Sequence, residues 1–422
     1  MKINLDEKLK KIISARDLAY LATYSTLWIF PILISWIVAS NGKFFSFGAL
    51  QWQLINLRFI SLIIIVSFFI SLFAGLLCSK LIQKYWKLEA QKNNFDGYKY
   101  VFLFILSAFS LVGLFLSFGG TIFEKAYSGA NYSWLDIGAY NIVFDIAYFS
   151  ISLIVLRKYG ILICLFLNTL VFLPVLACGS RIDFTSVQLA ILIFLLFVEQ
   201  SSLKTKYISI IFLLLWTFAI LQIIGQIRNQ YAEAINSNIY SVENLSYSPI
   251  RNIPSANTFY LGTLGNIGLS FFQIYGLVTT DPKKTIGLKK AFNAYAIRLI
   301  PGPLIKDRPR DFSGTLPEII GVGATHSLAE GYLIKGLAGV ILISIFFGLM
   351  GGCSLFFLRR YENSQSIKNV LLFSFPWILL IRGGWYQLFA IFKASSFLIA
   401  LLLIFYFVDN YIYARSGQEN SQ

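Results

Sequence analysis

LRFISLIIIVSFFISLFAGLLC, Leu57–Cys78, contains one charged residue, Arg58, and that residue sits at its edge. A hydrocarbon core roughly 30 Å thick is crossed by about 20 apolar residues in a helix, the one open-ended structure that satisfies every backbone polar group within its own segment. The stretch therefore reads as a transmembrane helix. The pattern recurs along the chain. Ten spans are expected: Tyr20–Ser40, Leu57–Cys78, Tyr100–Phe118, Ile137–Leu156, Ile161–Cys178, Phe184–Val198, Tyr207–Gly225, Leu337–Leu358, Asn369–Ile381 and Ala394–Val408. The sixth and the last two are short, so they need tilted neighbours or wider boundaries. The expected fold class is an all-α polytopic membrane protein of about ten transmembrane helices.

The composition agrees. Charged residues make up 13% of the chain and hydrophobic residues 57%, with a mean hydropathy of +0.69. Soluble domains carry roughly 25% charged residues. The 40 Phe and 23 Tyr suit lipid-facing and interfacial positions. One histidine and four scattered cysteines, Cys78, Cys164, Cys178 and Cys353, form no CxxC pair and make no metal cluster. The cysteines read as small buried hydrophobes. The basic N-terminus precedes an apolar run too long for a signal peptide core, so the first helix is expected to remain uncleaved.

Lys and Arg set the expected orientation. With the N-terminus inside, the inner segments collect Lys8, Lys10, Lys11 and Arg16, then Lys80 to Lys99, Arg157 and Lys158, Lys204 and Lys206, and Arg359 and Arg360. The short outer loops hold only Lys43, Arg58, Lys125, Arg181, Arg382 and Lys393. Both termini are thus expected in the cytoplasm. Residues 1–225 would hold spans one to seven, 226–336 a large external loop with short surface helices, and 337–422 the last three spans and a cytoplasmic tail. Within the loop, Thr258–Thr280 has no charged residue. Its Gly, Asn, Ser and Thr content reads as a helix at the membrane surface or packed in a cavity rather than as a span.

The loop is where the chain concentrates chemistry. Its second half runs RLIPGPLIKDRPRDFSGTLPEIIGVGATHSLAEGYLIKGLAG, Arg298 to Gly339. Pro301, Pro303, Pro309 and Pro317 forbid a regular helix through it. From Ser327 onward the sequence reads as helical, entering the next span, with His326, the only histidine, at its start. Glu330 lies one turn on and shares a face with His326. Imidazole accepts protons near neutral pH, and the arginine fork binds phosphate oxygens in pairs. A base beside Arg308 and Arg310, which Pro309 holds together, suits transfer from a diphosphate-linked donor, because the leaving diphosphate needs charge stabilisation. Arg251 and Arg298 lie in the same loop, and Arg181 and Arg382 head short outer turns from which they reach phosphate or anchor a helix end. Lys283, Lys284, Lys289 and Lys290 read as contacts to lipid phosphates. Asp145, mid-span in the fourth helix, is a candidate because a buried acid is costly. The chain has no nucleotide-binding glycine loop, GxSxG turn or HExxH, and no segment on the inner side is long enough for a soluble domain. Nucleotide-driven chemistry and nucleic-acid partners are not expected.

These features resemble the Wzy-type O-antigen (oligosaccharide repeat unit) polymerases. The layout of many spans and one large late loop is similar over the whole length. Locally, Ile300-Pro301 through Lys306-Asp307-Arg308-Pro309 resembles that family's proline-rich loop. Ser327 to Tyr332, followed by Gly336 and Gly339, resembles its Glu-x-Tyr and glycine pattern before a late span. Gly179-Ser180-Arg181 and Arg382-Gly383 match short elements near other outer helix ends. Gly302 stands where that loop often carries a basic residue, and an Arg-x10-Gly pattern occurs at Arg251–Gly262 and Arg310–Gly321. The resemblance implies a glycosyltransferase of the bacterial inner membrane that joins undecaprenyl-diphosphate-linked oligosaccharides at the periplasmic face. His326 would take the acceptor proton, Glu330 would orient it, and the arginines would hold the diphosphate, with Tyr332 a further site candidate. Membrane lipids, a chain-length regulator and a flippase are the implied partners, and no cofactor or metal is needed. Two readings compete. His326 before a Glu and paired glycines also resembles the O-antigen ligases, which use the same donor. A lipid-linked oligosaccharide flippase or other transporter is the other class.

Overall fold

The computed structural model describes residues 14–40, 56–85, 160–177, 182–198, 202–236, 266–297 and 326–363, with scattered helical residues between 148 and 159 and between 372 and 411. Among the described residues every element is helical. We number the helices α1 Ala15–Ser40, α2 Leu57–Tyr85, α3 Ile161–Ala177, α4 Ile182–Phe197, α5 Leu203–Asn236, α6 Asn266–Thr280, α7 Leu288–Ala296 and α8 Ser327–Asn363. Four of them contain stretches long and apolar enough to cross a membrane: Ala15–Ile37, Leu57–Tyr85, Leu203–Ile224 and Ser327–Arg360. The chain is a helical membrane protein. The expected span Tyr100–Phe118 and most of Ile137–Leu156, Asn369–Ile381 and Ala394–Val408 lie outside the described residues.

Local chemistry fixes where the helices start. Ser14 and Asp17 form a reciprocal cap on α1. The Asp17 N–H donates to Ser14 Oγ at 3.1 Å, and the Ser14 N–H donates to the Asp17 carboxylate at 3.1 Å. Asn56 Oδ1 accepts the Phe59 N–H at 3.1 Å on α2, and Ser202 Oγ accepts the Thr205 N–H at 3.3 Å on α5. Helix α5 runs past Gly225 to Asn236. The polar segment QIRNQYAEAIN there is rich in Gln, Arg, Ala and Glu, which are helix formers whatever their hydropathy.

Helices α1, α2 and α8 form the centre of the bundle. Helix α2 runs against α1: Trp36 Nε1 donates to the Leu57 carbonyl at 3.0 Å, and the hydroxyls of Ser25 and Ser71 meet at 3.0 Å. The long part of α8 runs parallel to α2. Gly348 lies against the Ser71 carbonyl, a Cβ on Gly352 would come within 2.5 Å of the Gly75 carbonyl oxygen, and Cys78 Sγ meets Cys353 Sγ at 3.8 Å. Small residues let these backbones approach closely, the usual device where lipid supplies no hydrophobic drive between helices. On the outside of α2, Leu62, Ile65, Phe69, Phe73, Leu77 and Leu81 are exposed at helical spacing and form a lipid-facing stripe.

One face of the bundle is marked by charge. Asp17 at the start of α1 forms an ion pair with Arg359 near the end of α8, with Nε to Oδ1 at 3.2 Å. The Arg16 guanidinium donates to the Phe197 carbonyl at the end of α4, and Lys206 Nζ donates to the Leu196 carbonyl at 2.6 Å. The start of α1, the α4–α5 turn and the end of α8 therefore share one face. These basic residues are among those that the charge bias groups on the inner side.

The opposite half of the bundle is broken. Lys335 (φ −152, ψ 32) and Gly336 (φ 56, ψ −138) interrupt α8, and the chain reverses there instead of entering the span as one straight helix. A positive φ with this ψ is open to glycine and strained for other residues. The short arm, 327–334, folds back along the long arm, 337–363, with Gly331 and Gly339 packed backbone to backbone. Trp28 of α1 fixes the depth of the short arm's start. Its ring stacks on Phe347 of the long arm at 4.7 Å, and its Nε1 donates to Ser327 Oγ at 2.8 Å. Trp28 lies about 16 Å along α1 from Asp17, at 1.5 Å per residue. Residue 327 thus sits near the middle of a core roughly 30 Å thick.

Helix α6 lies beside the short arm and runs the same way. Gly268 abuts the Pro31 carbonyl of α1, Ser270 reaches His326, and Tyr275 packs on Tyr332 at 5.4 Å. At their far ends the Ile286 and Gly287 N–H groups donate to the Leu333 and Ile334 carbonyls at 3.1 and 3.0 Å. Those carbonyls end a helix and would otherwise lack partners. The described length of α6, about 22 Å, is less than a span. Phe271, Phe272, Ile274, Tyr275 and Val278 bury it in the bundle, so the described part of Thr258–Thr280 is a packed half-helix.

Candidate functional site

His326 stands where the two half-helices begin, and three backbone or hydroxyl groups hold it. Its N–H donates to Ser270 Oγ at 2.9 Å. Its Nε2 lies 2.8 Å from the Trp28 carbonyl oxygen, and its Nδ1 lies 3.1 Å from the Leu328 N. A carbonyl only accepts and an amide N–H only donates, so the neutral tautomer with the proton on Nε2 satisfies both contacts at once. Nδ1 is then the N-cap acceptor of the short arm, a place that Ser, Asn or Asp more often fill. The Trp28 ring stacks over the imidazole at 6.1 Å and 28°. His326 is 3% exposed, and a proton can leave or enter Nδ1 only if the Leu328 bond opens.

Glu330 lies one turn along the same arm and is 1% exposed. Its backbone N–H donates to the His326 carbonyl at 3.1 Å, the first ordinary helical bond of the arm. A carboxyl at this depth is costly and marks a functional position by default. Tyr332 faces α6, edge-on to Phe271 at 6.2 Å. His326, Glu330 and Tyr332 are thus brought together on the short arm, at mid-depth and above it. Arg181, Arg251, Arg298, Arg308, Arg310, Arg382 and Asp145 lie outside the described residues. Among the described residues no group of three or more His, Cys, Asp or Glu side chains could hold a metal ion.

Trp28 and Ser270, the partners that position His326, were not evident from the sequence as site residues. No local motif marks them, since they lie 298 and 56 residues from His326 in sequence. Comparison with protein-family models, with curated proteins and with solved structures finds no match to this chain.

Proposed function

We propose that the chain is an integral-membrane glycosyltransferase that polymerises undecaprenyl-diphosphate-linked oligosaccharide repeat units at the periplasmic face of the bacterial inner membrane. The observation that carries most weight is the broken half of the bundle. Both described flanks of the arginine-bearing segment 298–325 are fastened there, α7 through the Ile286 and Gly287 backbone bonds and His326 through Ser270 and Trp28. That half lies opposite the Asp17–Arg359 face, which the positive-inside bias assigns to the cytoplasm. In this reading Arg308 and Arg310, with Arg181, Arg251, Arg298 and Arg382, hold the diphosphate, and Glu330 is, among the described residues, the buried acid nearest to them in sequence. His326 is a positioning residue that fixes where the segment enters the bundle.

The same geometry also favours one other reading. Paired half-helices whose starts meet at mid-depth recur in transporters. The glycan ladder of a deletion strain separates the readings. A polymerase leaves single-repeat molecules on the surface, a ligase leaves none, and a transporter traps repeat units on the inner leaflet. Arg308→Ala and Arg310→Ala together should reduce the ladder to single repeats at unchanged protein level. A full ladder would remove the arginines from the mechanism.

A further inference from the structure

Cys78 of α2 and Cys353 of α8 face each other across the central interface of the bundle, with their thiols 3.8 Å apart. The backbones beside them are in contact. A Cβ on Gly352 would come within 2.7 Å of Cys78 Cβ and 3.1 Å of the Ser79 N. A disulfide needs Cα atoms within about 7 Å of one another, a closeness that this glycine contact one residue away supplies. Close packing asks only for small residues here, and Ala or Ser would serve it as well. Two facing thiols add a chemistry that packing does not require. They also differ in access: Cys78 is buried and Cys353 is half-buried. Cys353 stands six residues before Arg359, about 9 Å along α8 from the face that Arg359 shares with Asp17. The positive-inside bias assigns that face to the cytoplasm, a reducing compartment where disulfides are transient and redox-sensing.

We propose that Cys78 and Cys353 are a redox pair that hydrogen peroxide converts to a disulfide, fastening α2 to the long arm of α8. Cys353, the more accessible thiol, attacks the peroxide as its thiolate. The O–O bond breaks, the Cys353 sulfur becomes a sulfenic acid, and the departing hydroxide takes up the thiol proton as water. The Cys78 sulfur then attacks the Cys353 sulfur. The S–S bond forms, the S–O bond breaks, and hydroxide leaves with the Cys78 proton as a second water. The thiol pair loses two electrons and the peroxide gains them. Closing the 3.8 Å gap to the roughly 2.05 Å of an S–S bond takes a side-chain adjustment rather than a helix movement. Cytoplasmic thiol reductants reverse the step by exchange. The bridge joins positions 275 residues apart, so it restricts the unfolded chain strongly and stabilises the folded one. The proposal stands independently of the glycosyl-transfer reading.

The test uses the full chain in membrane vesicles, with C164A/C178A leaving two of the four thiols. A mass-tagged maleimide counts free thiols after denaturation. Hydrogen peroxide should remove both tags together from the monomer, and dithiothreitol should restore both. The oxidised protein should unfold at a Tm higher by at least about 3 °C. Adding C78A or C353A should abolish that rise. Should C164A/C178A fail to insert, the native chain serves, with the bridged peptides identified by mass spectrometry. Should C78A fail, C353A alone gives the same reading. Both tags persisting under peroxide, a loss that dithiothreitol does not reverse, a disulfide-linked dimer in place of the monomer, an unchanged Tm after full oxidation, or a rise retained in C353A would overturn the proposal.

Discussion

Gly339→Ala is expected to remove most of the folded protein from the membrane. The added methyl would be driven into the Gly331 carbonyl, and a Cβ on Gly331 would in turn come within 2.9 Å of the Gly339 carbonyl oxygen. Both obstacles are backbone, so no side chain can swing aside. Overpacking of a flexible site costs about 1–3 kcal/mol, and a backbone clash at a helix reversal should exceed about 3 kcal/mol. Without this contact the short arm cannot lie along the long arm, and His326 leaves its place under Trp28. Gly160→Ala is the matched control. Gly160 has a positive φ, +85, which Gly339 does not, and nothing lies within 4 Å of its would-be Cβ. Only backbone strain applies there, on the order of 1 kcal/mol. Monodisperse yield after detergent extraction and Tm separate the two. Equal behaviour of the variants would contradict the backbone-to-backbone packing of the two arms.

His326→Ala is expected to lower stability by about 2–3 kcal/mol, combining the lost helix cap, an orphaned Leu328 N–H and a small cavity. His326→Asn should lose clearly less, since an asparagine oxygen is a good N-cap acceptor for the same amide. The pair distinguishes two roles for the only histidine. If His326 positions the short arm, polymer made by each variant follows the amount of folded protein, and the Asn variant recovers most of both. If His326 must take a proton during transfer, the Asn variant is stable but makes only single repeats. The bonds to Trp28 and Leu328 favour the first outcome, because the neutral ring already uses both nitrogens.

Hydropathy was a good guide wherever a helix meets lipid. Ile161–Cys178 and Phe184–Val198 correspond to α3 and α4 within two residues, and Leu57–Cys78 matches the start of α2, which runs on to Tyr85. Where polar and apolar residues are buried together, composition left two placements open, the membrane surface or a packed cavity, and the described part of Thr258–Thr280 takes the second. Ser270, Gln273 and the glycines lower the hydropathy of 266–280, yet the segment packs inside the bundle because Phe271, Phe272, Ile274 and Tyr275 carry its burial. The reversal at Lys335-Gly336 was hidden for a different reason. Leu328, Leu333, Ile334 and Leu337 continue one apolar pattern across it, and hydropathy is blind to the backbone dihedral that breaks the helix. His326 was legible as a singular residue, but the groups that hold it were not. Its partners, Trp28 and Ser270, are remote in sequence, and both ring nitrogens engage backbone groups that no motif encodes.

The central claim is that the chain reverses at Lys335 on the face opposite Asp17–Arg359, and that this face is periplasmic. Single cysteines at Lys335 and Arg360, introduced by K335C and R360C into a variant lacking the four native cysteines, test it with a membrane-impermeant maleimide. In whole cells with a permeable outer membrane, the cysteine at position 335 should react at once. The one at position 360 should react only after the inner membrane is opened. A cysteine at position 335 that stays unreactive in both conditions, as in a helix continuous through the bilayer, or the reverse order of labelling, would contradict it.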